Sequence, residues 1–262
     1  METPDNKSSF SHLIEQPKFF LPRMTNVFNI YGHNGCVNCI KWSHDGSLLI
    51  SGSDDGTLKI WDMTKNSLKS NGHSTNCKNT LNGHISNVFS VEMQPAKPLS
   101  AAKIISGGND STLRIFDLKT GTNLHILRQF QKKICSISAP KTCFNTFIAS
   151  SADGTVRHYD MREKFERCNE NIGENKSNRI LPQIFGGGFA QENQFKSIKN
   201  LLLDFSTDER NRYGVHSVDI HPLNASIFVV SIANGNSYLY DMRKISNTPL
   251  KSFINSYRNY QL

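Results

Sequence analysis

The 262-residue sequence predicts an all-β protein, a β-propeller with about four recognisable blades that reads as incomplete or shortened. Three observations carry this. The stretch Gly32 to Asp62, GHNGCVNCIKWSHDGSLLISGSDDGTLKIWD, alternates apolar runs with turns at His44-Asp45-Gly46 and Asp54-Asp55-Gly56 and closes on Trp61-Asp62. Asp-Gly pairs of this kind supply the positive φ of tight hairpins. An aromatic-Asp pair closes three more stretches, at Phe116-Asp117, Tyr159-Asp160 and Tyr240-Asp241. The runs between turns have strand length and are rich in Val, Ile, Leu, Thr or Trp.

In chain order, residues 1–29 form an N-terminal arm. Met1 to Ser9 is polar and reads as disordered. Phe10, Leu13 and Ile14 are spaced for a short amphipathic helix before Pro17, within the apolar segment Phe10 to Phe20. Asn26 to Tyr31 reads as a strand feeding the first blade. Blade one then has strands at Val37 to Trp42, Ser47 to Ser51 and Thr57 to Trp61, with a fourth expected after Asp62. Its Gly32-His33 opening, two Asp-Gly turns and Trp61-Asp62 close resemble the WD repeat, so the fold class is a WD-repeat β-propeller. The resemblance implies a buried hydrogen-bonded relay through His33, Ser51, Asp55 and Trp61. Its role is structural, because a buried carboxylate must be paired. The same Ser/His/Asp set could be read as a hydrolase triad, but no G-x-S-x-G elbow or oxyanion-hole motif accompanies it.

Blade two begins at Gly83-His84, with strands at Val88 to Met93, Lys103 to Ser106 and Thr112 to Phe116. Phe116 stands where tryptophan belongs and has no donor, so this relay loses its last member. Blade three lacks Gly-His and has strands at Ile134 to Ser138, Phe147 to Ser151 and Thr155 to Tyr159. Tyr159 could still donate from its hydroxyl. Blade four has strands at Val215 to Ile220, Ser226 to Ser231 and Ser237 to Tyr240. The closing aspartates at 62, 117, 160 and 241 are 55, 43 and 81 residues apart, against a period of about 40 to 45. Insertions near 65–80 and 163–200 account for the excess. Gly186 to Gly188 falls in the second but lacks the G-x-x-x-x-G-K-[ST] pattern of a phosphate loop. The blades thus span 30–245, with a C-terminal tail at 246–262. Four blades would leave an unpaired strand edge, which points to a shortened chain, a fragment, or closure by the N-terminal strand and tail.

Composition narrows the function. No apolar run approaches the ~18 residues of a membrane span, so no membrane partner is expected, and the polar N-terminus has no signal-peptide h-region. Six cysteines read as thiols in a reducing compartment, which suits the cytoplasm or nucleus. Cys36 and Cys39 have metal-like spacing, but residues three apart on a strand point to opposite faces, and no second pair completes a site. Neither metal nor other cofactor is expected. The net charge of +8 and pI near 9.2 permit an acidic partner. However, the cations are scattered with no run of five, so nucleic acid is not expected.

Blades three and four close as Tyr159-Asp160-Met161-Arg162 and Tyr240-Asp241-Met242-Arg243. Both arginines follow the third strand, so they are expected on one face, able to make forked bonds to a partner. This double close resembles the box of WD-repeat substrate receptors of cullin-4-type RING ubiquitin ligases. GHNGCVNCIKW, LLISGSDDGTLKIWD, GHISNVFSVEMQP, SADGTVRHYDMR and SYLYDMR, above all Gly-Cys-Val-Asn-Cys, resemble the subfamily that pairs WD with tetratricopeptide repeats and its WD-only relatives. The resemblance covers about residues 30 to 245. It implies that Asp160, Arg162, Asp241 and Arg243 contact the propeller adaptor called damaged-DNA-binding protein, and that Phe10 to Phe20 is an arm inserted into it. The sequence departs from that subfamily in showing four blades rather than about seven, and in having no tetratricopeptide pattern after them. The chain reads as a non-catalytic receptor holding an unknown protein substrate against a ligase; the other reading is a WD scaffold unconnected to ubiquitin. An enzyme is not expected, since no acid/base pair, nucleophile motif or cofactor loop is present.

Overall fold

The computed structural model describes residues 29–64, 73–74, 77–141, 143, 145–163, 165, 200–206, 213–244 and 248–254. After β1 (Asn29–Ile30), sheet one contains β2 (Val37–Trp42), β3 (Leu48–Ser53), β4 (Leu58–Asp62) and, beyond β5 (His73–Ser74), β6 (Cys77–Leu81). Sheet two is β7 (Val88–Met93), β8 (Lys103–Gly108), β9 (Leu113–Asp117) and β10 (Asn123–Leu127). Sheet three is β11 (Ile134–Ser138), β12 (Thr146–Ser151), β13 (Thr155–Asp160) and β14 (Leu201–Asp204). Sheet four is β15 (Val215–Ile220), β16 (Ile227–Ile232), β17 (Ser237–Asp241) and β18 (Lys251–Phe253). Each is an antiparallel meander, giving a WD β-propeller of about four blades.

The sheets stack in succession through their inner strands, β2 on β7, β7 on β11 and β11 on β15. A sheet covered on both faces buries every side chain of its second strand. Hence β3 (LLISGS) is buried throughout, and β8 and β12 after their first residue. Three apolar clusters fill the gaps: Ile50, Leu58, Ile60 and Leu81 meet Val88, Val91 and Met93 between blades one and two. Equivalent residues fill the other two gaps, and each fully buried Ile or Leu contributes about 1.5–3 kcal/mol. All four inner strands carry a bulge at the same place, between Val37 and Cys39, Val88 and Ser90, Ile134 and Ser136, and Val215 and Ser217.

The outer strands depart from the sequence reading. β6 lies partly inside the stretch taken as the first insertion, and β10 carries no signature at all. β14 directly follows the second insertion, and β18 lies in the stretch taken as tail. Outer strands face solvent along one edge and need no strong apolar pattern, so CKNTL and NLHIL do not announce themselves. β1 does not feed blade one; it pairs in parallel with β5. β18 pairs with β17, so this part of the tail completes blade four, and among the described strands β18 has no pairing with β1. The segments Met1–Ser9 and Phe10–Phe20, the glycines Gly186–Gly188 and nearly all of 163–200 lie outside the described residues.

Candidate functional site

In blade one the structure brings His33, Ser51, Asp55 and Trp61 together. His33 Nδ1 is 2.9 Å from Asp55 Oδ2, His33 Nε2 is 2.7 Å from Ser51 Oγ, and Trp61 Nε1 donates to Ser51 Oγ at 2.8 Å. A carboxylate only accepts, so for a neutral ring the donors run from Trp61 to Ser51, Ser51 to His33 and His33 to Asp55. Asp55 also accepts from the backbone N–H groups of Asn34 and Thr57 and from the Thr57 hydroxyl. Burial works against its charge, but the bonds from Thr57, Asn34 and His33 outweigh it and hold its pKa far below the usual carboxylate range. The relay ties the Gly-His loop, the second strand and the turn before the third into one unit. That turn needs a left-handed residue, met by Gly56 at φ 75° and in blade two by Ser111 at φ 61°.

Blade two repeats the arrangement without its last donor. His84 Nδ1 is 3.0 Å from Asp110 Oδ2, His84 Nε2 is 2.8 Å from Ser106 Oγ, and Phe116 is fully buried at the tryptophan position. In blade three Ala149 takes the serine position and Gln131 N–H bonds to Asp153. The reading that Tyr159 donates in this blade is corrected: its buried hydroxyl has no hydrogen-bond partner among the described residues, and its ring stacks on Phe147 at 4.9 Å. No acceptor faces it because alanine replaced the serine. Sequence reasoning missed Thr57, Thr112 and Thr155, each bonding through N–H and hydroxyl to the aspartate two residues earlier. The signal was present as Asp-x-Thr in three successive turns.

The His–Ser–Asp geometry is that of a nucleophilic triad, yet it offers nothing to a substrate. Ser51 is buried within a strand, its oxygen already accepts the Trp61 N–H, and a second copy sits equally buried in blade two. Cys39 is a neutral thiol, its pKa pushed up to about 12 by burial. Among the described residues no group of three or more His, Cys, Asp or Glu could hold a metal ion.

Asp160–Arg162 and Asp241–Arg243 occupy the same position of blades three and four, where Asp160 pairs with Thr146 and Asp241 with Ile227. Arg162 Nε donates to Asp160 Oδ1 at 3.0 Å, and Arg243 Nε and Nη2 donate to Asp241 Oδ1 and Oδ2 at 3.0 and 2.7 Å. These bonds hold both aspartates at a pKa of about 2. The arginine side chains remain 70% and 68% exposed. Each aspartate thus fixes the direction of a guanidinium whose surface faces solvent.

A family model described as WD domain, G-beta repeat matches residues 24–62 and 75–117, the first two blades. These two blades are WD repeats. Human WD and tetratricopeptide repeats protein 1 is 32% identical over 144 residues, 55% of this chain and 20% of that protein. WD repeat protein iqw1 of Schizosaccharomyces pombe is 27% identical over 226 residues, 83% of this chain and 23% of that one. Human DDB1- and CUL4-associated factor 5 is 31% identical over 148 residues, 54% of this chain and 15% of that protein. The chain therefore matches less than a quarter of the length of each of these relatives. WD repeats serve as protein-interaction modules, and among the described residues no helix is long and apolar enough to cross a membrane.

Proposed function

We propose that the chain is a non-catalytic substrate receptor, linking a target protein to a cullin-RING ubiquitin ligase through the ligase's propeller adaptor, in the cytoplasm or nucleus. The observation that carries this reading is the paired close: two exposed arginines, each aimed by its own aspartate, at one position of adjacent blades. Two relatives are named for association with DDB1 and CUL4, which supports the choice of adaptor. Asp160, Arg162, Asp241 and Arg243 make the contact, Arg162 and Arg243 as forked donors to acceptors on the adaptor. Catalysis belongs to the ligase, and this chain supplies proximity. No cofactor, membrane or nucleic acid enters the reading.

Exchanging Arg162 and Arg243 together for Glu abolishes co-purification with the adaptor while the circular-dichroism spectrum stays that of the parent. Undiminished capture overturns the assignment. In that case the WD scaffold unrelated to ubiquitin is the better reading, because each arginine already has an intramolecular partner that accounts for its presence.

A further inference from the structure

Two cavities flank Leu99, in the loop that joins β7 to β8. One, of about 290 Å³, is lined by buried Leu48, Ile60 and Leu118 with Leu99, and by exposed Lys78 and Lys119. The other, of about 320 Å³, is lined by Pro95, Ala96, Pro98 and Leu99, and by exposed Lys97 and Lys141. Leu99 packs on the core shared by blades one and two and is held in a 3-10 turn, Leu99–Ala101. Ala101 N–H donates to Pro98 O at 3.0 Å, Ala102 N–H to Leu99 O at 2.9 Å, and Leu118 N–H to Ala102 O at 3.1 Å, so the ridge between the cavities is preformed. The apolar lining belongs to this seam in particular: Lys103 and Thr146 take the position of Leu48 in blades two and three.

The charges around the cavities are one-sided. Lys41 bonds Glu92, Lys59 bonds Thr80 and Lys133 lies over the Phe89 ring, whereas Lys78, Lys97, Lys119 and Lys141 have no ion pair among the described residues. The one carboxylate on either lining, Asp45, accepts from the hydroxyls of Ser43 and Ser47 and from the Ser47 N–H. Two apolar hollows are thus framed by four cations that no carboxylate answers.

We propose that this groove docks an extended acidic segment of a partner protein, one aliphatic side chain in each cavity and its carboxylates against the four lysines. Small-molecule sites run from about 300 to 1,000 Å³, so cavities of this size suit single side chains better than a whole ligand. An extended chain turns alternate side chains to one face about 7 Å apart, which matches two hollows that share a single residue as wall. Aliphatic burial supplies affinity, and the charges supply orientation and rate of encounter. The groove lies at the strand ends that carry Asp160 and Asp241 in the later blades and uses none of the arginine-pair residues. On the receptor reading, on which only this last step rests, the segment belongs to the substrate.

The test is fluorescence anisotropy on the full 262-residue chain alone, with the labelled peptide Glu-Glu-Leu-Asp-Leu-Glu-Glu as probe. No adaptor is present, so the outcome is independent of capture through Arg162 and Arg243. The peptide is expected to saturate the chain, and a version with alanine for both leucines to bind at least about tenfold more weakly. Lys78→Glu with Lys141→Glu, one exposed position at each cavity, keeps the circular-dichroism spectrum of the parent and weakens the peptide at least about tenfold. Lys132→Glu with Lys251→Glu makes the same change of net charge away from the groove and leaves the affinity within about twofold. A peptide that does not bind overturns the proposal. Equal binding of the alanine version, or equal losses from the two pairs of reversals, also overturns it, since the surface would then read charge alone.

Discussion

Trp61 supplies the last hydrogen bond of the first relay, and the other blades show the chain of donors shortening as residues change. With Phe116 the second relay keeps His84, Ser106 and Asp110 but no indole, and with Ala149 the third keeps the aspartate, its threonine and the Gln131 N–H. Trp61→Phe leaves Ser51 without its buried donor and lowers stability by about 1–3 kcal/mol, read as a reduced denaturant midpoint. An unchanged midpoint would mean that water replaces the indole. The aspartates add a pH dependence. Asp55 and Asp110 have folded pKa values below the ordinary value of about 3.9, so their contribution is present above that value and lost as pH falls through the folded values. The urea midpoint is therefore expected to drop below about pH 4, and Asp55→Asn to start lower at pH 7 and lose less on acidification. Equal slopes for parent and variant would contradict this. His33, Ser51, Asp55 and Trp61 could be named from sequence because the resemblance to a WD repeat implies a relay at those positions. Thr57 was overlooked because an Asp-Gly-Thr turn already has a sufficient reason in its glycine.

Within a blade, the second strand must come close to the next blade's inner strand, and this sets a size limit. A Cβ on Gly52 would lie 2.7 Å from both Cys39 Sγ and Val88 Cγ1, and one on Gly107 would overlap Ile134. These glycines hold equivalent positions, and blades three and four place Ser150 and Ser231 there. Gly107→Ala is expected to overpack the junction of blades two and three and to lower the thermal midpoint, at a cost of about 1–3 kcal/mol. An unaltered midpoint would show that the sheets can slide apart. The inner strands were legible to the residue, and the second and third strands to within two, since apolar runs bounded by turns define both ends. The outer strands were not, because a strand with one open edge tolerates sequences such as CKNTL.

For the whole molecule, what matters is which faces are covered. Among the described residues the main packing of each sheet is on its neighbours in sequence, so the array behaves as a one-dimensional stack.

The sequence by itself determined the strand and turn chemistry of each blade, because hairpins and Asx turns are settled by residues close along the chain, and its resemblance to WD repeats implied the relay residues and singled out the paired arginines. Only the tertiary structure decided that the tail completes blade four, that β1 pairs with β5, and that Val37, Ile40 and Trp42 stand exposed where their counterparts are buried. A side chain's pattern says that it suits a covered face, but whether the face is covered depends on a neighbouring sheet distant in sequence.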